Sequence, residues 1–272
     1  MIDGVGHDDC VSATDSYQHV ALLGSSYAAG PDIAPVIDTA AGRSANNYGE
    51  IVARRLGAKI TDLAVSGATT QNLLATAQRA GAKRFAPQVP QLPPEAELIM
   101  VTAGGNDLGY LQSIIPAVLA GRLDERVITR PLAAAARLIF GTPRGKDVEV
   151  AATGLTGVVE AARQRAAGAR VVLVGYPMLF GPDDEAAAGQ HLRRSDLDAI
   201  RGIGRRLDRA YELAAERTGA ELVRTAELGR DHAVGSTEPW VNGVQGVPGD
   251  GSALHPNAAG HRAMAEAVLA LL

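Results

Sequence analysis

The sequence predicts an α/β domain built on a parallel, doubly wound sheet of five strands, and three observations predict it. Short apolar runs alternate with longer segments of helical spacing along nearly the whole chain. Three of those runs end in turns of glycine, serine and other small residues, where functional groups gather in such sheets. The 272 residues, 46% hydrophobic and 21% charged, suffice for one large core and are too apolar for disorder.

Residues 1–17 are polar and aperiodic and read as a flexible segment ahead of a single domain at 18–272. His19-Val20-Ala21-Leu22-Leu23 is the first buried strand and stops at Gly24. A helix follows over 46–56, and a second strand over 58–65 closes on Ser66-Gly67. Thr69 or Thr70 caps the next helix, which carries Leu73 and Leu74. The third strand, 97–102, closes on Gly104-Gly105. Residues 109–146 interrupt the alternation: they are apolar, punctuated by Pro116, Pro131 and Pro143, and read either as a helical lid over a pocket or as an extra packing layer. Helix 148–167, strand 170–174, the long amphipathic helix 195–218, strand 220–223 and a closing helix over 257–272 complete the pattern.

Composition excludes several functions. Lys and Arg total 26 against 30 Asp and Glu, so the net charge of −4 offers no broad positive field to a phosphate backbone. With 4% aromatic residues and one Trp there is no stacking platform for single strands either, so nucleic acid is not an expected partner. The single cysteine, Cys10, excludes an intramolecular disulfide and a cysteine-rich zinc site. No metal or organic cofactor is expected. No run approaches the ~18 apolar residues of a membrane span, and the first residues lack a basic stretch followed by an apolar one, which together suggest a cytoplasmic location. Oligomeric state is not legible.

The chemistry concentrates in the small-residue turns. Gly24-Ser25-Ser26-Tyr27-Ala28-Ala29-Gly30 follows a buried strand, but it is neither a phosphate loop nor a dinucleotide fingerprint. A hydroxyl nucleophile there needs a base, and His255, in a Gly/Pro-rich loop before the last helix, is the candidate, with Asn257 placed to cap. Gly104-Gly105-Asn106-Asp107 and Ser66-Gly67-Ala68-Thr69 offer hydrogen-bond donors for a developing oxyanion, each worth ~3 kcal/mol. Asp107 is expected to tie the loops together.

Gly24-Ser25-Ser26, Gly67, Gly104-x-Asn106-Asp107 and His255-Pro256, in that order, resemble the four blocks of the SGNH (GDSL-type) hydrolase superfamily over residues 20–272. The resemblance implies a flavodoxin-like three-layer α/β/α sandwich. It also implies Ser26 as nucleophile, His255 as general base, and an oxyanion hole of the Ser26 and Gly67 N–H groups with the Asn106 side chain. Two positions depart from the family pattern. Ser25 stands where Asp is usual, and Ser252 stands where the triad acid is expected. Three acceptors for the second nitrogen of His255 are therefore open: the Ser252 carbonyl, Asp250 and Asp231. Tyr27 and Trp240 are candidates for lining the substrate pocket, and His261 reads as structural. The expected activity is cleavage of a small carboxylic ester through an acyl-enzyme, a serine esterase or lipase. The alternatives are transfer of the acyl group to a sugar or other alcohol, and a non-catalytic ligand-binding module.

Overall fold

A computed structural model describes residues 17–183 and 190–272. Five strands, β1 His19–Gly24, β2 Lys59–Asp62, β3 Leu98–Thr102, β4 Arg170–Val174 and β5 Glu221–Val223, pair in the order β2-β1-β3-β4-β5, all parallel. Alternation along each central strand divides the core. Ala21, Leu23, Ile99, Val101, Val171 and Leu173 face one side, while Val20, Leu22, Leu98, Met100, Val172 and Val174 face the other.

The helices follow in chain order. α1 Ser26–Ala29 is one turn, and α2 Tyr48–Leu56 is capped by Asn47, whose side chain accepts the Glu50 N–H. α3 Thr70–Leu74 begins with a capping box in which Thr69 and Asn72 exchange bonds. Then come α4 Gly105–Leu108, α5 Tyr110–Asp124, α6 Arg130–Phe140, α7 Val148–Arg165, α8 Arg194–Thr218, α9 Thr225–Leu228 and α10 Ala258–Leu269. α2 and α10 cover one face of the sheet, and α7 and α8 the other, which makes the three layers. α8 does so with Leu197, Ile200, Ile203, Leu207 and Tyr211 at helical spacing.

Three features differ from the sequence reading. The second strand is shorter than 58–65, and two antiparallel hairpins, Val36–Asp38 with Arg43–Ser44 and Gln78–Ala80 with Lys83–Phe85, lie outside the sheet. Residues 1–16 of the expected flexible segment are outside the described residues, whereas Tyr17 is buried and its hydroxyl accepts from Arg170 at 3.2 Å. Residues 109–146 form the hairpin α5–α6. Pro116 sits inside α5, and Pro131 sits in the first turn of α6, where its missing N–H costs nothing. The excursion closes on itself: the Lys146 N–H donates to the Leu108 carbonyl at 3.1 Å.

Candidate active site

β1 delivers the chain to Gly24, where φ is 154° and a Cβ would lie 2.2 Å from the Thr102 carbonyl oxygen. The buried side chain of Gln88 grips this residue on both sides, accepting the Gly24 N–H at 2.8 Å and donating to its carbonyl at 2.9 Å. The Ser25 N–H then donates to Thr102 at 3.0 Å, and Ser26 opens α1 with its side chain at the floor of a small cleft. A matching grip holds β3: the Tyr211 hydroxyl donates to the Ala103 carbonyl at 2.8 Å and accepts its N–H at 3.0 Å. The two chain ends leaving the sheet are thus fixed by buried side chains from distant elements.

Ser26 Oγ lies 2.9 Å from His255 Nε2, and His255 Nδ1 lies 2.7 Å from the Ala253 carbonyl oxygen. A carbonyl only accepts, so the Nδ1 position carries the proton and Nε2 faces the serine as an acceptor. Burial holds the imidazole below its ordinary pKa, against the opposing pull of the Ala253 carbonyl and the Asp32 carboxylate.

The acceptor differs from all three expected ones. The Ser252 N–H donates to the Pro31 carbonyl at 3.0 Å and its hydroxyl to the Asp32 carboxylate, so this residue ties the histidine loop to the loop after α1. Asp250 Oδ1 accepts the Ala258 N–H at 3.0 Å at the start of α10. Asp231 is exposed in a short helical turn. The reason is conformational: Leu254 adopts φ of 60°, which folds the chain so that the imidazole meets the carbonyl two residues upstream. Asn242 supports that loop, donating to the Asp250 and Gly251 carbonyls at 3.1 and 2.9 Å, while its own N–H donates to the His255 carbonyl.

Asn106 shares the cleft with Ser26. Its Nδ2 donates to the Ala68 carbonyl at 2.9 Å, which leaves one amide hydrogen and links it to the residue after Gly67. Among the described residues, the Ser26 and Gly67 N–H groups have no protein acceptor. The two loops are locked again one residue on, where the Asp107 carboxylate accepts the Thr70 N–H and, at 2.6 Å, its hydroxyl.

Tyr27 lines the cleft. Its hydroxyl donates to the Leu254 carbonyl at 2.6 Å and its ring lies 5.2 Å from His255, so it also braces the histidine loop. Trp240 does not line the cleft. It stacks flat on His232 at 4.3 Å and packs over Gly229 and Gly260. His261 is fully buried, accepts the Tyr48 N–H at 3.1 Å, and is pushed down to about 3 by burial.

Sequence reasoning missed Gln88, Asn242 and Tyr176. The Tyr176 hydroxyl lies 3.0 Å from Ser25 Oγ and accepts the Gly105 N–H at 3.3 Å, and its ring stacks on Tyr27 at 4.2 Å. The Gly105 position has no room for a side chain against that ring: a Cβ would lie 2.8 Å from the hydroxyl. Tyr110 and Tyr176 separate the cleft from a cavity of about 490 Å³ at the ends of β4 and β5, where burial pushes Asp208 up to about 6.

Fold and site together define an α/β hydrolytic enzyme with a serine and a histidine in contact at the carboxyl edge of a parallel sheet. The GDSL-like lipase/acylhydrolase family model matches residues 22–263, and the chain belongs to that family. It is 32% identical over 286 residues to Lipase 2 of Streptomyces coelicolor, with all of this chain and 91% of that one aligned. The fold is similar to the crystal structure of phospholipase A1 from Streptomyces albidoflavus NA297, with a TM-score of 0.71, 23% identity and coverage of 93% and 99% of the two chains. The extracellular lipase of Streptomyces rimosus has the same TM-score at 21% identity, covering 94% and 100%. The protein is a carboxylic ester hydrolase. No helix among the described residues is long and apolar enough to cross a membrane.

Proposed function

We propose that the protein cleaves small carboxylic esters through an acyl-enzyme on Ser26. The observation that carries this reading is the 2.9 Å contact between Ser26 Oγ and a His255 Nε2 held as acceptor by the Ala253 carbonyl. Ser26 Oγ attacks the ester carbonyl carbon while Nε2 takes its proton, and the resulting oxyanion accepts from the Ser26 N–H, the Gly67 N–H and the spare Asn106 amide hydrogen. Collapse breaks the bond to the alkoxide, which leaves with the proton from Nε2. Water, deprotonated by the same nitrogen, then attacks the acyl carbon and releases the acid and Ser26.

The Ala253 carbonyl takes the place of the triad acid. It orients the ring and partly stabilises the imidazolium, but as a dipole rather than a charge. The scheme calls on no metal or cofactor. Acyl transfer to an alcohol draws no support from the α5–α6 hairpin, since of its helices only the first residues of α5, Tyr110 and Leu111, reach the cleft. The structurally similar S. rimosus lipase is an extracellular protein, which does not support the cytoplasmic location expected from the sequence.

Ser26→Ala is expected to lower kcat on a short-chain aryl ester at least about 10⁴-fold, with unchanged near-UV circular dichroism. Labelling of the native protein, but not of this variant, by a fluorophosphonate probe would agree. Retained turnover in the variant would refute the assignment.

A further inference from the structure

We propose that the exposed face of the α5–α6 hairpin adsorbs to an anionic lipid surface, so that the ester reaching Ser26 is a lipid held in an aggregate. The second half of this statement rests on the ester-hydrolase reading, and the first does not.

Eight of the thirteen strongly exposed large hydrophobic side chains among the described residues fall within 109–146. Single exposed apolar residues are ordinary, but a concentration of this kind marks an interaction surface. α6 buries only Ala133, while Leu132 and Leu138 are 59% and 88% exposed and Ile139 and Phe140 stand out beside them. Leu132 and Ile139 are two turns apart and share a face. The connecting turn adds Val127 and Ile128, and α5 adds Ile115 and Leu119, one turn apart. α6 packs against α5 and the connecting turn, so the folded chain makes no use of this surface.

Charge selects the occupant. Residues 109–146 carry six Arg and Lys against two carboxylates, in a chain whose net charge is −4. Both carboxylates are engaged, Asp124 by Arg137 at 3.0 Å and Arg193 at 3.5 Å, and Glu125 by His191. Among the described residues, Arg126, Arg130, Arg144 and Lys146 have no carboxylate partner. Cations interleaved with exposed aliphatic side chains suit a negatively charged headgroup layer, where the apolar groups enter and the long basic chains stay in the polar zone. The remainder of the molecule is acidic and is repelled, which orients the hairpin downwards. A second copy of the same face would set like charge against like charge. The surface is also continuous with the site, because Tyr110 and Leu111 at the start of α5 line the Ser26 cleft.

The test is flotation of the full chain, carrying Ser26→Ala so that lipid is not consumed, with vesicles of equal parts phosphatidylcholine and phosphatidylglycerol, and with phosphatidylcholine alone. Partition into the anionic vesicles is expected to exceed that into the neutral ones by about tenfold. Leu132→Ser with Ile139→Ser should lower it by about tenfold, and Arg126→Gln with Arg130→Gln severalfold, with unchanged far-UV circular dichroism. In the active background the serine pair should leave hydrolysis of a soluble short-chain aryl ester within about twofold while hydrolysis of a vesicle-borne ester falls about tenfold. Absence of flotation, or flotation indifferent to both pairs of substitutions, overturns the proposal. So does a concentration-dependent dimer that the serine pair dissolves. If the native enzyme leaves the soluble ester intact, the ester reading fails while flotation still decides adsorption.

Discussion

At Gly24–Ser26 the chain is gripped from three directions: by Gln88 on Gly24, by Thr102 on Ser25 and by His255 on Ser26. In the α5–α6 hairpin, roughly forty angstroms of helix at 1.5 Å per residue, α5 buries six of its 15 residues and α6 contributes one alanine to the interior. The contrast separates two physical demands. A nucleophile works only if its position is fixed against thermal motion, whereas a contact surface needs exposure and little else from the core.

Substitutions in the turn should therefore cost stability and rate together. Gly24→Ala drives a methyl group into the Thr102 carbonyl and should destabilise by about 3 kcal/mol or more, read as a lowered urea midpoint. If the variant is as stable as the native protein, the turn is softer than its contacts imply.

Gln88→Leu keeps the bulk but leaves the Gly24 N–H buried without its acceptor, and leaves the Gly24 carbonyl with the Val65 N–H alone. A loss of about 1–3 kcal/mol is expected. Because Gln88 acts through the backbone of the turn, kcat should fall about tenfold or more with little change in KM. A change confined to stability would make Gln88 a packing residue only.

The pH profile examines the other member of the pair. His255 accepts a proton only when neutral, and burial lowers its pKa, so the neutral form persists to lower pH. The acid limb of kcat/KM should therefore fall below the ordinary histidine value of about 6.5, with unit slope beneath it. A limb above that value would point to a nearby carboxylate in place of the Ala253 carbonyl. The smallest effect belongs to Asp250. Asp250→Asn disturbs the first turn of α10 and should cost about 0.5–1 kcal/mol in thermal denaturation. Turnover should stay within about threefold, whereas a triad acid would lose orders of magnitude.

The strands were legible where they are buried on both faces. Residues 20–23, 98–101 and 171–174 are unbroken apolar runs followed by small residues, and such a run has few other folds open to it. Val36–Asp38 and Arg43–Ser44 were not legible, because strands of two or three half-exposed residues carry no period to detect. In the site, Ser26, His255 and Asn106 stood out through their turns. The partner of Nδ1 did not, because it is a main-chain carbonyl placed by a left-handed Leu254, and side-chain identity does not encode that. Gln88 was hidden for a different reason: its contact spans 64 residues, and a lone glutamine in a loop has no local pattern.

The bond from the Lys146 N–H to the Leu108 carbonyl means that the excursion leaves and re-enters the domain at one point. Gln112 donates to Asn106 Oδ1 at 3.0 Å, and Tyr110 and Leu111 line the cleft, so the first turn of α5 belongs to the site; what happens beyond that turn need not propagate to Asn106 or Asp107. Past that first turn the hairpin is an exchangeable cassette: another helical pair joined across the same gap would leave the reactive serine where it is and change only what the enzyme encounters.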